Sequence, residues 1–350
     1  MGMGEAGGAK SRTDVAAAWN LIASSYDANE QMKAREILDR EAEDYDQLIL
    51  NAYFYNPFLR LTEDEVAALL RKVRPDAVGH LIAARAAVTR SPAPKYVIFC
   101  MPKSGSSFIK SALQAALQLP FVSLTGVGTP RSNSVFGMNS REQELDELAI
   151  IQSATLNPKG FIAQHHTRYS VFLALQMQLF GIVPIVTVRN ILDCIVSFDE
   201  MMLQSKANSK SWIMDPPFIL PIDYAELDDE ARCTILAHSY GTWLINFYLS
   251  WKRSHCHPFV SPLFIRYEDH LLDRETLIKR LSGNVSMSEE QEQRLRDFVH
   301  APDQTLSRFN VGRSGRGAEK IPEHLQAFLA NYAGLFRAEL TENEIRYLVR

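Results

Sequence analysis

Tyr96-Val97-Ile98-Phe99-Cys100-Met101-Pro102-Lys103-Ser104-Gly105-Ser106-Ser107-Phe108 is the stretch from which the rest of the chain is read. Its first residues are apolar and β-favouring and predict a strand that stops at Pro102. Beyond the turn, Phe108, Ile109, Ala112, Leu113, Ala116 and Leu117 recur at helical spacing. A strand that passes through a glycine into a helix offers the helix's first amides, at the positive end of its dipole, to an anion in the turn. Lys103 adds a full charge, and Ser104, Ser106 and Ser107 add hydroxyl donors. The stretch reads as a phosphate-binding loop. A serine-rich turn that only caps a helix is the plainer alternative.

Two later strand ends carry matching chemistry. Phe161 to Gln164 predicts a strand that runs into His165-His166, and Ile182 to Val188 is a nearly continuous apolar run, as a buried parallel strand should be. Open α/β sheets gather their ligand chemistry at the carboxyl ends of such strands. A neutral imidazole suits a base working near pH 7. Alternation along a strand lets one of the two histidines face a cleft, and the sequence does not choose between them. The second strand is followed by Arg189-Asn190-Ile191-Leu192-Asp193-Cys194-Ile195-Val196-Ser197. Arg189 can grip a phosphate bidentately, and the spacing of Asp193 and Ser197 puts both on one helical face. A Walker A loop requires G-x-x-x-x-G-K-[ST], whereas here Lys103 precedes its glycine. That ordering disfavours a P-loop kinase-like phosphotransferase, the enzymatic alternative. A catalytically silent nucleotide-binding protein is the non-enzymatic one.

The order Pro102-Lys103-Ser104-Gly105-Ser106-Ser107-Phe108 resembles the 5'-phosphosulfate loop of sulfotransferases that use 3'-phosphoadenosine 5'-phosphosulfate (PAPS). Arg189 through Ser197 is similar to that family's 3'-phosphate motif, with Ile191 in the place of its proline. Tyr240-Gly241-Thr242-Trp243 resembles its Tyr-Gly-Ser-Trp helix, with Leu244 where a tyrosine often stands, and Tyr267-Glu268-Asp269 matches the end of a later strand. Arg313-Ser314-Gly315 resembles the Arg-Lys-Gly loop that closes over the cofactor, serine replacing lysine. The resemblance runs from about Lys95 to Leu329. It implies a three-layer, P-loop-like α/β fold with a central, mostly parallel sheet, and transfer of a sulfuryl group from PAPS to an acceptor hydroxyl or amine. The implied contacts to PAPS or its product PAP are Lys103, Ser104, Gly105, Ser106, Ser107, Phe108, Arg189, Ser197, Arg313, Ser314 and Gly315, with Phe108 as the ring to stack on adenine. Laying the family's Lys-Thr-His strand end on Gln164-His165-His166 puts His166 at the base position, beside Lys103 as the second catalytic group and His165 as its rival. No metal is required by such a mechanism. Were neither histidine the base, Glu142 and Glu144 would be the first carboxylates to test.

The remainder of the chain bounds these readings. Its 350 residues, 46% hydrophobic and 22% charged, suffice for one large α/β domain with an appendage, and a net charge of −4 gives no global field for nucleic acid. The four cysteines form no C-x-x-C pair, which suits reduced thiols. The Gly-rich start has no apolar run of a secretory signal and no stretch reaches the length of a membrane span, so the expected location is the cytoplasm. The expected organisation is a disordered start at 1–12, a helical extension over 13–90 and the α/β domain over 95–350, with Ser91-Pro92-Ala93-Pro94 as linker. Packing, homo-oligomerisation and acceptor recognition are all open roles for the extension. The expected acceptor is a hydroxyl-bearing carbohydrate, lipid or small molecule. The loops over 125–142 and 201–227 are the stretches that would face it, and they carry no transferable code.

Overall fold

Among the described residues, a parallel sheet of five strands organises the chain: β1 (Lys95–Cys100), β2 (Phe121–Val122), β3 (Phe161–His165), β4 (Ile182–Val188) and β5 (Leu263–Arg266), in the spatial order β2-β3-β1-β4-β5. The computed structural model of the chain describes residues 5–25, 28–56, 59, 61–65, 68, 77–124, 145–205, 220–256, 260–271, 273–302 and 314–349. Strand β1 is buried along its whole length because both of its faces are covered. Val97 and Phe99 enter one core with Phe161, Ala163, Val186 and Val188, while Tyr96, Ile98 and Cys100 enter the other with Ile162, Ile185 and Ile265. That alternation explains why the sequence of β1 is a continuous apolar run rather than a half-polar one.

Helices close both faces. On the second face lie α5 (Ser106–Leu117), α11 (Arg274–Ser282) and α12 (Glu289–His300). The first face is covered by α6 (Glu147–Leu156), α7 (Val171–Phe180), α8 (Ile191–Ser205), α10 (Thr242–Lys252), α14 (Glu323–Gly334) and α15 (Glu342–Val349). This is the expected three-layer, P-loop-like α/β class. The chain leaves β1 toward one edge of the sheet and returns from β3 to β4 on the other side of β1. Such a reversal opens a crevice at the strand ends, and β1 lies at its centre.

The amino-terminal helices α1 (Glu5–Ile22), α2 (Ala28–Glu41) and α3 (Tyr45–Tyr55) enclose a separate core built on Ile22, Leu38, Ile49, Ala52 and Leu59. Helix α1 begins inside the start expected to lack structure, where Ala6, Ala9, Lys10 and Arg12 favour a helix despite Gly7 and Gly8. Thr62 and Glu65 form a capping box, Thr62 N donating to Glu65 Oε2 at 2.7 Å and Glu65 N to Thr62 Oγ1 at 3.2 Å. Helix α4 (Ala77–Arg90) docks on the α/β layer through buried Val88 and an Arg85–Glu147 ion pair of 2.5 Å.

The helical run from Asp229 to Lys252 divides into α9 (Asp229–Leu236) and α10, joined by a π-helical turn at Ala237–Gly241. Ser239 Oγ donates to Ile235 O at 2.6 Å and Thr242 Oγ1 to His238 O at 2.8 Å, side-chain bonds that compete with the regular ladder there. Strand β2 stops at Val122, and beyond it the N–H of Leu124 is taken by a histidine described below.

Candidate active site

The phosphate-loop candidate is held from three sides. Met101 N donates to Thr187 O of β4 at 3.0 Å, and Tyr240 OH, buried on the π-helical turn, donates to Pro102 O at 2.9 Å. Ser104 Oγ donates to Met101 O at 2.6 Å and lies 2.6 Å from Thr187 Oγ1. Lys103 takes φ of 70° and Gly105 φ of 80°, the left-handed turns that reverse the chain into α5. Phe108 N, bonded to Gly105 O at 3.0 Å, is the first donor claimed by the helix, so the amides of Gly105, Ser106 and Ser107 precede the intrahelical ladder.

The expected loop residues therefore divide. Lys103, Gly105 and Ser107 keep partial exposure, and Lys103 Nζ rests 3.7 Å from Met201 Sδ, a weak acceptor that an anion outcompetes. Ser104 is buried with its hydroxyl committed to the loop and to β4, so it is placed as a brace. Ser106 is buried and accepts from Gln164 Nε2 at 3.0 Å. Phe108, expected as the adenine-stacking ring, is instead packed in the second core, 5.8 Å from the Phe298 ring. The helical period that marks it as an apolar residue gives it the buried face of α5.

Strand β3 delivers the histidines to the neighbouring end. Alternation sends Gln164 toward α5 and His165 toward the opposite core, where Leu124 N donates to His165 Nε2 at 3.2 Å. That bond occupies the Nε2 lone pair of His165, the rival base named above. His166 lies beyond the strand with Nδ1 2.7 Å from Cys100 O and 3.2 Å from Cys100 Sγ. Donation from Nδ1 to that carbonyl leaves the lone pair on Nε2, the tautomer a base requires. Burial lowers the basicity of both rings, His166 to about 4 and His165 to about 3, with the His166 neighbour a lesser cause for His165. Both are neutral at pH 7.

Strand β4 ends at Arg189, which is buried and points back across the crevice. Its Nη1 donates to Lys103 O at 3.1 Å, its guanidinium carbon lies 4.1 Å from the centre of the Tyr267 ring, and Nη2 is 3.5 Å from Asp193 Oδ2. The strand end is fixed in turn by Asn190 N donating to Glu268 Oε1 at 3.0 Å and by Tyr347 OH donating to Glu268 Oε2 at 2.7 Å. Burial raises the Glu268 carboxyl above its ordinary range. Ser197 is buried on α8, a helical turn beyond Asp193 on the same face.

Asp193 also receives the segment that contains two of the expected closing residues. Ser314 Oγ donates to Oδ2 at 3.1 Å, Gly315 N to Oδ2 at 2.9 Å and Gly317 N to Oδ1 at 2.7 Å. Arg316 and Lys320 of α13 (Arg316–Lys320) pair with Glu200, further along α8. Arg313, expected to contact the cofactor, lies outside the described residues, as do Glu142 and Glu144.

Sequence reasoning did not assign roles to Thr187, Tyr240, Tyr267 or Asp193. The i, i+4 spacing of Arg189 and Asp193 was the available signal for the last. Among the described residues, no group of three or more His, Cys, Asp or Glu side chains is arranged around a metal position, and no helix is long and apolar enough to cross a membrane.

No protein-family model matches this sequence, and no curated protein matches it. Among solved structures, it is similar to mouse sulfotransferase SULT7A1 complexed with PAP, at a TM-score of 0.46 and 14% identity, over 75% of this chain and 91% of that one.

Proposed function

We propose that this protein transfers a sulfuryl group from PAPS to an acceptor hydroxyl. The observation that carries the reading is the bond from Arg189 Nη1 to Lys103 O, 3.1 Å long across 86 residues of sequence. It joins two anion-gripping motifs at the ends of adjacent strands, with His166 at the end of the strand on the other side of β1. The donor set fits a ligand with two separated anionic groups. Lys103, the amides before Phe108 and Ser107 suit one, and Arg189 with Ser197 suits the other.

When bound, PAPS supplies an activated sulfuryl group on its 5'-phosphate. Lys103 and the helix amides stabilise negative charge that grows on that phosphate, where preorganised donors act most strongly. Arg189 and Ser197 hold the remote 3'-phosphate, so positioning comes from a group that does not react. His166 Nε2 accepts the proton of the acceptor hydroxyl while Cys100 O steadies the imidazolium through Nδ1–H.

Incubation with radiolabelled PAPS and a panel of hydroxyl-bearing carbohydrates, lipids and small molecules, in EDTA, tests the reading. Label should move to at least one acceptor class without added metal. Transfer of the γ-phosphate of ATP instead, with an absolute magnesium requirement, overturns it in favour of a kinase-like enzyme.

A further inference from the structure

The buried carboxylate of Asp193 stands between two parts of the candidate site that are far apart in sequence. Toward β4 it faces Arg189, with 3.5 Å between Oδ2 and Nη2. Toward the carboxyl-terminal segment it accepts three hydrogen bonds, from Ser314 Oγ, Gly315 N and Gly317 N, across 121, 122 and 124 residues. Its own amide is held by Asn190 Oδ1 at 3.2 Å, which fixes the backbone at the start of α8. The segment is fitted to this contact. Gly315 adopts φ of +88°, and a Cβ on Gly317 would lie 2.3 Å from Leu192 C and 2.5 Å from Asp193 N, so only glycine permits the approach.

The geometry points to Asp193 as a positioning residue that makes the aim of Arg189 and the docking of residues 314–317 a single cooperative event. This role rests on the sulfotransferase reading above, in which Arg189 holds a 3'-phosphate. A carboxylate at this distance opposes an incoming anion by its charge alone. A plain electrostatic account thus expects its neutralisation to tighten phosphate binding. Positioning predicts the opposite sign, because a guanidinium that has lost its orienting partner grips a phosphate in fewer of its conformations.

The experiment is titration calorimetry of adenosine 3',5'-bisphosphate and of adenosine 5'-monophosphate, which lacks the 3' group, into the full chain. Asp193→Asn should weaken the bisphosphate by about tenfold, the scale of one lost charge-assisted bond, and change the monophosphate by less than about twofold. Gly317→Ala, which leaves Asp193 in place and displaces the segment, should weaken the bisphosphate similarly and keeps the test alive if Asp193→Asn fails to fold. The double variant should be no weaker than the worse single one, because both changes break one unit. Hydrogen exchange at Gly315 N should accelerate in both single variants and slow on adding bisphosphate to the wild type. Unchanged or tighter bisphosphate binding by Asp193→Asn, or additive losses, overturns the positioning role while leaving the site reading intact. A wild type that binds the two nucleotides equally overturns the site reading and this role together.

Discussion

Acid should destabilise this protein chiefly through its two strand-end histidines. Burial holds His165 at about 3 and His166 at about 4, below the ordinary value of 6.5. The unfolded chain therefore binds more protons than the native one in the window between 6.5 and those values. The stability contributed by keeping both rings neutral is complete above pH 6.5 and is lost as pH falls through the window. At pH 5 the linkage relation gives a loss of about 2 kcal/mol per histidine, or about 4 kcal/mol for the pair. That is a large share of the roughly 5–15 kcal/mol that holds a typical native domain. Carboxylates with lowered values act later: Glu344, at about 2 through its bonds from Lys252, Thr341 and Tyr248 that outweigh burial, loses its contribution only below pH 4.5. Urea denaturation at pH 7 and pH 5 separates these contributions. The wild type should lose about 4 kcal/mol between the two, and His165→Gln and His166→Gln should each lose about 2 kcal/mol less than that, whatever their stability at pH 7. A single variant whose loss on acidification equals that of the wild type refutes the assignment for that ring.

Three further outcomes follow from the same contacts. Lys103→Ala should lower single-turnover transfer at saturating PAPS by about 3 kcal/mol, roughly a hundredfold, with a smaller effect on PAP affinity measured by calorimetry. Tyr240→Phe removes the 2.9 Å bond to Pro102 O from a fully buried position, and urea denaturation should register a loss of about 1 kcal/mol. Glu65→Gln breaks the 2.8 Å ion pair with Arg35 beside the 2.6 Å bond from Tyr45, and a loss of about 3 kcal/mol should appear in the transition reported by Trp19 fluorescence.

The sheet was readable because parallel strands covered on both faces have to be apolar throughout. Tyr96 to Cys100 and Ile182 to Val188 announce themselves, and the polar residues just past their ends mark the crevice. Gly181 as the stop of α7 and the Ser288–Gln291 capping box are equally local signals. What local pattern does not encode is the partner of a side chain. Phe108 and Phe298 meet across the second core, and the periodicity that identifies each says nothing of their contact. Asp193 was legible as a member of the Arg189–Ser197 run, but its partners Gly315 and Gly317 were not. The π-helical turn was hidden for a similar reason. Its helical composition is unbroken from Asp229 onward, and only the side-chain bonds of Ser239 and Thr242 distinguish it.

The two-phosphate character of the site is the central claim, and titration calorimetry of adenosine 3',5'-bisphosphate against ADP in EDTA tests it most directly. The bisphosphate should bind about tenfold or more tightly than ADP, the scale set by a charge-assisted bond to the 3'-phosphate, and Arg189→Ala should erase the difference. Equal affinities in the wild type, or tight ADP binding that EDTA abolishes, would contradict it.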